Sequence, residues 1–190
     1  MVLEDRNGFF AFESALLVRP AGEPGVSVHD IQEWNRAELW KSSYAGTVDD
    51  VFFFAEDIFG CQFGLRGPHV VTFNPETAEV REFAQSIEQW AAQVIDDYKA
   101  LTGYPLAHLW QRAYGPLPPG TRLVPLMPFV MGGDFIVENL RAAPEVRAMR
   151  FYGGLAQAVA HVPDGAEVRI DIKNLERVLQ GDEGAEPESN

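Results

Sequence analysis

One cysteine and four histidines are the side chains in this sequence with the widest chemical range. Cys61 and His69 are the residue types of a thiol nucleophile and its base. They flank a turn between two predicted strands, however, and no nucleophile signature surrounds Cys61, so a buried and inert cysteine is favoured. The histidines form no H-E-x-x-H pattern; they are His29, His69, His108 and His161. The spacing of these residues therefore indicates no nucleophilic site and no metal site.

Paired carboxylates are the second group that could do chemistry, and they occur at Asp49-Asp50, Glu56-Asp57 and Asp96-Asp97. Neighbouring side chains point to opposite faces of a strand, and on a helix they diverge by about 100°. Neither geometry makes an acid–base dyad. A glycosidase-type pair, or a divalent cation held by carboxylates, would need acids from distant parts of the chain. We interpret the pairs as solvated charge and predict a protein that is not an enzyme and holds no cofactor.

The charge of the chain restricts its partners. The 190 residues include 15 Lys and Arg and 28 Asp and Glu, a net charge of −13. Phosphate backbones and anionic membranes attract basic surfaces, so the sequence predicts no direct nucleic-acid binding and no membrane binding. The single cysteine rules out an internal disulfide, and no stretch resembles a signal peptide or a membrane-spanning helix. We therefore expect a soluble, cytoplasmic protein.

Hydrophobic patterning predicts the elements that position these residues. Gly8 to Val18 suits one buried strand or two short ones, and Ser27 is positioned to cap a helix through Asp30 to Leu39. Four further segments form a predicted antiparallel meander, with an Asn74-Pro75-Glu76-Thr77 turn before its last strand. These segments are Phe52 to Phe54, Gln62 to Leu65, Val70 to Phe73 and Glu79 to Phe83.

Helical periodicity begins at Ser86, where Gln89 completes a capping box, and continues to Leu101 before Gly103. This helix should cover one face of the meander, with Trp90 on its apolar stripe. A second helix is predicted over Leu106 to Tyr114. Further strands are predicted over Arg122 to Val130, Glu145 to Tyr152 and Val168 to Ile172. The fold class is therefore α+β, with an antiparallel meander sheet and helices packed on one side.

The sequence divides into three predicted regions. Residues 1–104 form the core, and residues 105–174 form a strand-rich C-terminal extension packed on it. Residues 175–190 form an acidic tail, because a segment such as GDEGAEPESN has too little apolar surface to order.

Several motifs occur together in an informative order. A strand leads into the turn E-D-I-F-G-C-Q-F-G over Glu56–Gly64, followed by the N-P-E-T turn and the helix start S-I-E-Q-W over Ser86–Trp90. Together with the strand entry at Asn7, they resemble the SMI1/KNR4 family, or SUKH superfamily, over roughly residues 7 to 173. The later segments Leu101–His108, Leu123–Pro125 and Pro128–Gly133 are similar to a bacterial subgroup with a C-terminal extension. Two departures are a Cys at position 61 and the absence of helices before Asn7, which suggests missing N-terminal helices.

The resemblance implies a binding module rather than an enzyme. Many bacterial members of the family look like immunity proteins that neutralise polymorphic toxins, and fungal relatives are regulatory scaffolds. Our leading expectation is an immunity-type protein that binds a basic toxin domain through an acidic surface. The alternatives are a scaffold in a larger protein assembly and a carboxylate-based, metal-dependent enzyme.

Two sets of residues are predicted to matter. The first consists of candidate partner-binding residues: Trp40, Tyr44, Glu56, Asp57, Gln62, Asp96 and Asp97. For Trp40 and Tyr44, which follow the first predicted helix, core packing is the favoured alternative. The second consists of residues expected to shape the turns and the core: Asp57, Gly60, Gln62, Gly64, Pro75 and Trp90. Asp57 belongs to both sets because its carboxylate can hydrogen-bond backbone N–H groups inside the turn.

Overall fold

A six-stranded antiparallel sheet in the simple order β1 to β6 organises the chain. The structure is a computed structural model that describes residues 7–22 and 28–160. Its strands are β1 (Phe9–Ala11), β2 (Leu16–Val18), β3 (Phe52–Asp57), β4 (Gln62–Arg66), β5 (His69–Asn74) and β6 (Glu79–Ala84). A separate hairpin pairs β7 (Thr121–Pro125) with β8 (Leu140–Pro144). The helices are α1 (Ile31–Trp34), α2 (Ile87–Asp96), α3 (Tyr98–Thr102), α4 (Tyr104–Tyr114) and α5 (Glu145–Val159).

The predicted fold class is confirmed: the chain is α+β, with an antiparallel meander and helices packed on one side. Helix α2 supplies that packing. Its Trp90 ring meets Phe54 and Phe63 edge-on, with centroids 4.9 and 5.6 Å apart. Ser86 caps the helix by accepting a hydrogen bond from the Gln89 N–H. The predicted helix is broken at Asp97, because the Asp97 side chain bonds the Ala100 N–H and starts α3.

A second apolar cluster lies apart from the one that α2 covers. Trp40 and Tyr44, at the start and end of a 3₁₀ turn over Lys41–Tyr44, pack on Phe53 and Phe73 of the sheet. Helix α5 contributes Met149 to the same cluster, and Tyr44 donates a hydrogen bond to the Met149 carbonyl. Both aromatic side chains are buried, which corrects the prediction that Trp40 and Tyr44 bind a partner.

The second half of the chain departs most from the predicted elements. Glu145–Tyr152, predicted as a strand, is the first part of α5. The buried residues Ala148, Met149, Tyr152 and Ala156 follow helical spacing, and the β-branched and aromatic residues in a shorter window hid that period. The strand predicted over Arg122–Val130 ends at Pro125, and its partner β8 was not predicted.

Helix α1 is also shorter than predicted. It ends at Trp34, and its N-cap is Asp30, whose carboxylate accepts from the Gln32 and Glu33 N–H groups. Ser27, Val168–Ile172 and the predicted tail over 175–190 lie outside the described residues. The three predicted regions stay predictions. None of the described helices has the length and apolar character that crossing a membrane requires.

Two adjacent glycines in α5 give a matched test of how this helix packs. A Cβ on Gly153 would lie 2.5 Å from the Ser43 Cβ, whereas a Cβ on Gly154 would meet nothing within 4 Å. We expect Gly153→Ala to lower the free energy of unfolding by about 1–3 kcal/mol through overpacking. Gly154→Ala should raise it by up to about 1 kcal/mol, because alanine favours helix. Urea titrations of both variants measure this, and equal stabilities would contradict the packing.

Candidate functional site

Buried charges converge where the sheet meets the second half of the chain. Glu56 of β3 is completely buried, with 0% exposure. Its Oε1 accepts a hydrogen bond from Arg122 Nε at 2.7 Å, and its Oε2 lies 2.9 Å from Arg19 Nη2. Gln62 Nε2 donates to the same Oε2 at 2.8 Å. One carboxylate of the sheet therefore binds two arginines and an amide.

A second carboxylate, Glu145, extends this cluster to the first residue of α5. Arg19 binds it with two N–H groups, at 3.2 and 3.3 Å, and His29 Nδ1 lies 2.9 Å from its Oε1. Burial opposes ionisation of Glu145, but the Arg19 charge and the His29 hydrogen bond outweigh it and hold its pKa well below the usual value. We call Arg19, His29, Glu56, Arg122 and Glu145 the charge network.

The charge network joins four segments that are far apart in sequence. Arg19 follows β2, Glu56 lies on β3, Arg122 lies on β7 and Glu145 begins α5. Arg19 also stacks over the Trp34 ring, 3.4 Å from its centroid. Within the described residues, Arg19 Nε and Arg122 Nη2 are buried without a hydrogen-bond partner. The network is therefore a device that fixes the arrangement of these segments more than a source of net stability.

These burials correct part of the predicted binding set. Glu56 and Gln62 are inside the protein, and their polar atoms are committed to internal partners. Gln62 also accepts a hydrogen bond from Trp34 Nε1 at 2.9 Å and donates one to the Gly60 carbonyl. Neither side chain presents a surface to another macromolecule.

The turn after β3 explains much of the recognised motif. One Asp57 carboxylate oxygen, Oδ1, accepts from the Phe59 and Cys61 N–H groups, both at 2.8 Å. This is the local bonding predicted for Asp57, and the buried carboxylate is not a surface contact. Burial raises its pKa to about 7, while the two backbone hydrogen bonds oppose the shift. Gly60 has a φ of +88°, a conformation that favours glycine.

Other motif residues also have packing roles. A Cβ on Gly64 would lie 2.5 Å from Val51 Cγ1, so this position needs glycine. Pro75 is buried in the turn between β5 and β6. Burial raises the pKa of the Cys61 thiol well above its usual value, so the thiolate is disfavoured near neutral pH. Cys61 is therefore a poor nucleophile.

A cleft of about 270 Å³ opens beside this turn, lined by Cys61, Gln62, Phe63, Thr72, Phe73, Asn74, Glu79, Arg81, Ala100 and Leu101. Its charged groups, Glu79 and Arg81, pair with each other at 2.5 Å. No group of three His, Cys, Asp or Glu side chains arranged for a metal ion occurs among residues 7–22 and 28–160.

The surface carries the remaining acidic candidates. Asp96 and Asp97 are exposed, as predicted for binding residues, although Asp97 also caps α3. In the described residues, exposed acids outnumber exposed bases. The acids are Glu13, Glu38, Asp49, Asp50, Glu79, Glu82, Glu88, Asp96, Asp97, Asp134 and Glu138, and the bases are Arg36, Arg81, Lys99, Arg112 and Arg150.

Sequence reasoning missed one surface feature, the connection between β7 and β8. Residues 126–139 hold Val130, Phe135 and Ile136 with large exposed fractions. We call this segment the apolar loop. Its signal was present in the sequence as L-M-P-F-V-M-G-G-D-F-I-V, but the first part had been assigned to a buried strand.

Comparison with known proteins adds information about the fold. No protein-family model matches the chain, and no curated protein matches it. The chain is similar to a solved structure, the crystal structure of Atu4351 from Agrobacterium tumefaciens, with 14% sequence identity and a TM-score of 0.51. The match covers 80% of this chain and 72% of that chain. This likeness establishes the fold alone.

Removal of the central negative charge should show how strongly the buried arginines depend on it. We expect Glu56→Gln to lower the free energy of unfolding by about 3–5 kcal/mol, because Arg122 and Arg19 lose a buried counter-charge. The control is Asp50→Asn, which breaks the exposed ion pair with Arg66 and should cost less than about 1 kcal/mol. Chemical denaturation measures both, and similar losses in the two variants would contradict the role of Glu56.

His29 gives a pH-dependent test of the same network. The Glu145 hydrogen bond raises the His29 pKa above its usual value of about 6.5, against an opposing effect of burial. The stability gained from protonated His29 is therefore fully present below pH 6.5 and is lost as pH rises through the folded-state pKa. NMR titration of the imidazole should give a pKa above 6.5 in the native protein and a lower one in Glu145→Gln. An unchanged pKa in that variant would contradict the pairing.

Proposed function

We propose that this chain is a non-enzymatic protein-binding module of the immunity type, which neutralises a cognate bacterial toxin in the cytoplasm. The observation that carries the proposal is the acidic surface. Among the described residues, exposed acids outnumber exposed bases, and the burial of three bases, Arg19, Lys41 and Arg122, is matched by the burial of four acids, Glu56, Asp57, Glu76 and Glu145. The excess of acids in the composition therefore lies on the surface.

Surface acidity suits a partner with a basic face. Opposite potentials accelerate encounter and discriminate against other proteins. A toxin that acts on nucleic acid needs a basic cleft to hold phosphates, and an acidic protein can occupy that cleft. The resemblance to SMI1/KNR4 proteins is consistent with this role.

The proposal is tested by identifying a partner and then measuring a binary complex. The tagged chain is expressed in its native host, captured partners are identified, and each is purified and bound to the chain alone. We expect a basic protein whose Kd weakens at least tenfold as NaCl rises from low to high concentration. Co-expression of the chain should protect cells from that protein.

Charge variants refine the experiment. Asp96→Asn with Asp97→Asn, and separately Asp49→Asn with Asp50→Asn, remove two exposed charges each at different positions. Asn preserves capping at position 97. Whichever pair faces the partner should slow association and reduce the salt dependence. Recovery of no binary partner, or a partner that binds without salt dependence and without protection, would overturn the proposal.

A further inference from the structure

The apolar loop exposes three large apolar side chains to solvent. Phe135 is 65% exposed, and its neighbour Ile136 and, across the loop, Val130 are also largely exposed. Single exposed apolar residues are ordinary on protein surfaces, but a group within one connection marks an interaction site. The position of this group was not among the predicted binding residues.

The loop is held in one shape by its own polar groups. Asn139 Oδ1 accepts from the Met127 N–H at 2.8 Å, and Asn139 Nδ2 donates to the Met127 and Asp134 carbonyls at 3.0 Å. Gly133 lies so close to Met127 that an added Cβ would collide with the Met127 carbonyl oxygen. The Gly133 N–H also donates to the Pro128 carbonyl. The Asn139 hydrogen bonds and the close approach of Gly133 to Met127 therefore fix the shape of the loop.

Two turns contact the apolar loop and help to position it: the Asp57 turn after β3 and the N-P-E-T turn between β5 and β6. Phe59, placed by the Asp57 turn, packs edge-on against Phe129 with centroids 5.3 Å apart. Phe129 stacks with Phe135 at 4.0 Å and an interplanar angle of 4°. Glu76 of the N-P-E-T turn accepts the Val130 N–H at 2.7 Å. Residues of the two motif turns thus position Phe129, Val130 and, through the Phe129 ring, Phe135.

A fixed conformation increases the affinity that an exposed apolar side chain can contribute. A side chain already held in place loses little conformational entropy when a partner covers it. Aromatic residues in the centre of a contact commonly contribute most of its binding free energy. The Phe129–Phe135 stack leaves Phe135 free to fill a pocket or to lie under a guanidinium group.

Acidic side chains flank the exposed group and indicate the chemistry of its partner. Asp134 precedes Phe135, and Glu138 follows Ile136, and both acids are exposed. Arg141, the base next to the loop, donates to the Glu138 and Leu140 carbonyls. Arg141 keeps its positive charge, but Asp134 and Glu138 still outnumber it, so the charge here has the same sign as the net charge of −13.

We propose that the apolar loop is the docking surface for a basic protein partner, with Phe135 as the central contact and Asp134 and Glu138 as its charged rim. This rests on the proposed function, which supplies the basic partner. A second copy of the chain would bring like charges together at the rim, and an anionic lipid surface would repel it. A basic protein with an apolar pocket or an arginine side chain fits both features.

A defined peptide pair tests the surface without knowledge of the native partner. The probes are a 20-residue Arg/Leu peptide and a Glu/Leu peptide of the same length, titrated into the ¹⁵N-labelled full chain at physiological salt. We expect the basic peptide to shift amides of residues 129–138 first, and the acidic peptide to bind at least tenfold more weakly. Phe135→Ala should raise the Kd of the basic peptide at least tenfold. Asp134→Asn with Glu138→Gln should raise it as well and reduce its salt dependence.

The matched control is Ile95→Ala, which removes a side chain that is 71% exposed elsewhere on the surface. Its Kd should stay within twofold of the unchanged protein, and preserved amide dispersion shows that each variant is folded. Shifts centred on Asp49–Asp50 or Asp96–Asp97, equal binding of both peptides, equal loss in the control, or self-association that Phe135→Ala abolishes would each overturn the inference.

This result is separable from that of the proposed function. If a binary partner protects cells and binds Phe135→Ala as tightly as the unchanged protein, only the docking surface is wrong. If no partner is found while the basic peptide binds at Phe135, the surface stands and the immunity role fails.

Discussion

The burial of Glu56 between two arginines is the constraint on which the rest of the structure depends. A carboxylate in the interior is tolerated only with compensating charge and hydrogen bonds, which come here from Arg19, Arg122 and Gln62. Arg19 follows β2, Arg122 lies on β7 and Gln62 lies on β4. Arg19 also binds Glu145 at the start of α5. The sheet and the second half of the chain therefore share one buried set of charges. The network buries two arginines with two glutamates, so the excess of acids in the composition stays on the exterior.

Carboxylates of the two motif turns also have structural roles outside the charge network. The Asp57 carboxylate shapes the turn that presents Phe59, and the Glu76 carboxylate holds the Val130 amide. Both contacts end at the apolar loop, which exposes Val130, Phe135 and Ile136. Asp57 and Glu76 of the motif turns therefore help to position the apolar loop and do not themselves form a binding surface. This division, with paired charges inside and acids plus Phe135 outside, is the arrangement on which the proposed binding role rests.

The sequence determined the local elements better than the long-range contacts. The strands and turns between Phe52 and Ala84 follow from alternation and from the glycine and proline positions, and Ser86 marked the start of α2. The charge network was not predictable, because its members are separated by up to 126 residues and no spacing rule links them. Trp40 and Tyr44 were misplaced because a short 3₁₀ turn has too few residues for a period. Glu145–Tyr152 was misread in an eight-residue window that hid the spacing continuing to Ala156.

The central claim is that a rigid framework displays a preformed loop, and native-state hydrogen exchange measures it most directly. The amides of Met127, Val130 and Gly133 are bonded to Asn139, Glu76 and the Pro128 carbonyl. The account predicts that they exchange at least a hundredfold more slowly than unstructured amides in the isolated chain. Exchange at the rate of an unstructured peptide, while the amides of β3 stay protected, would contradict it.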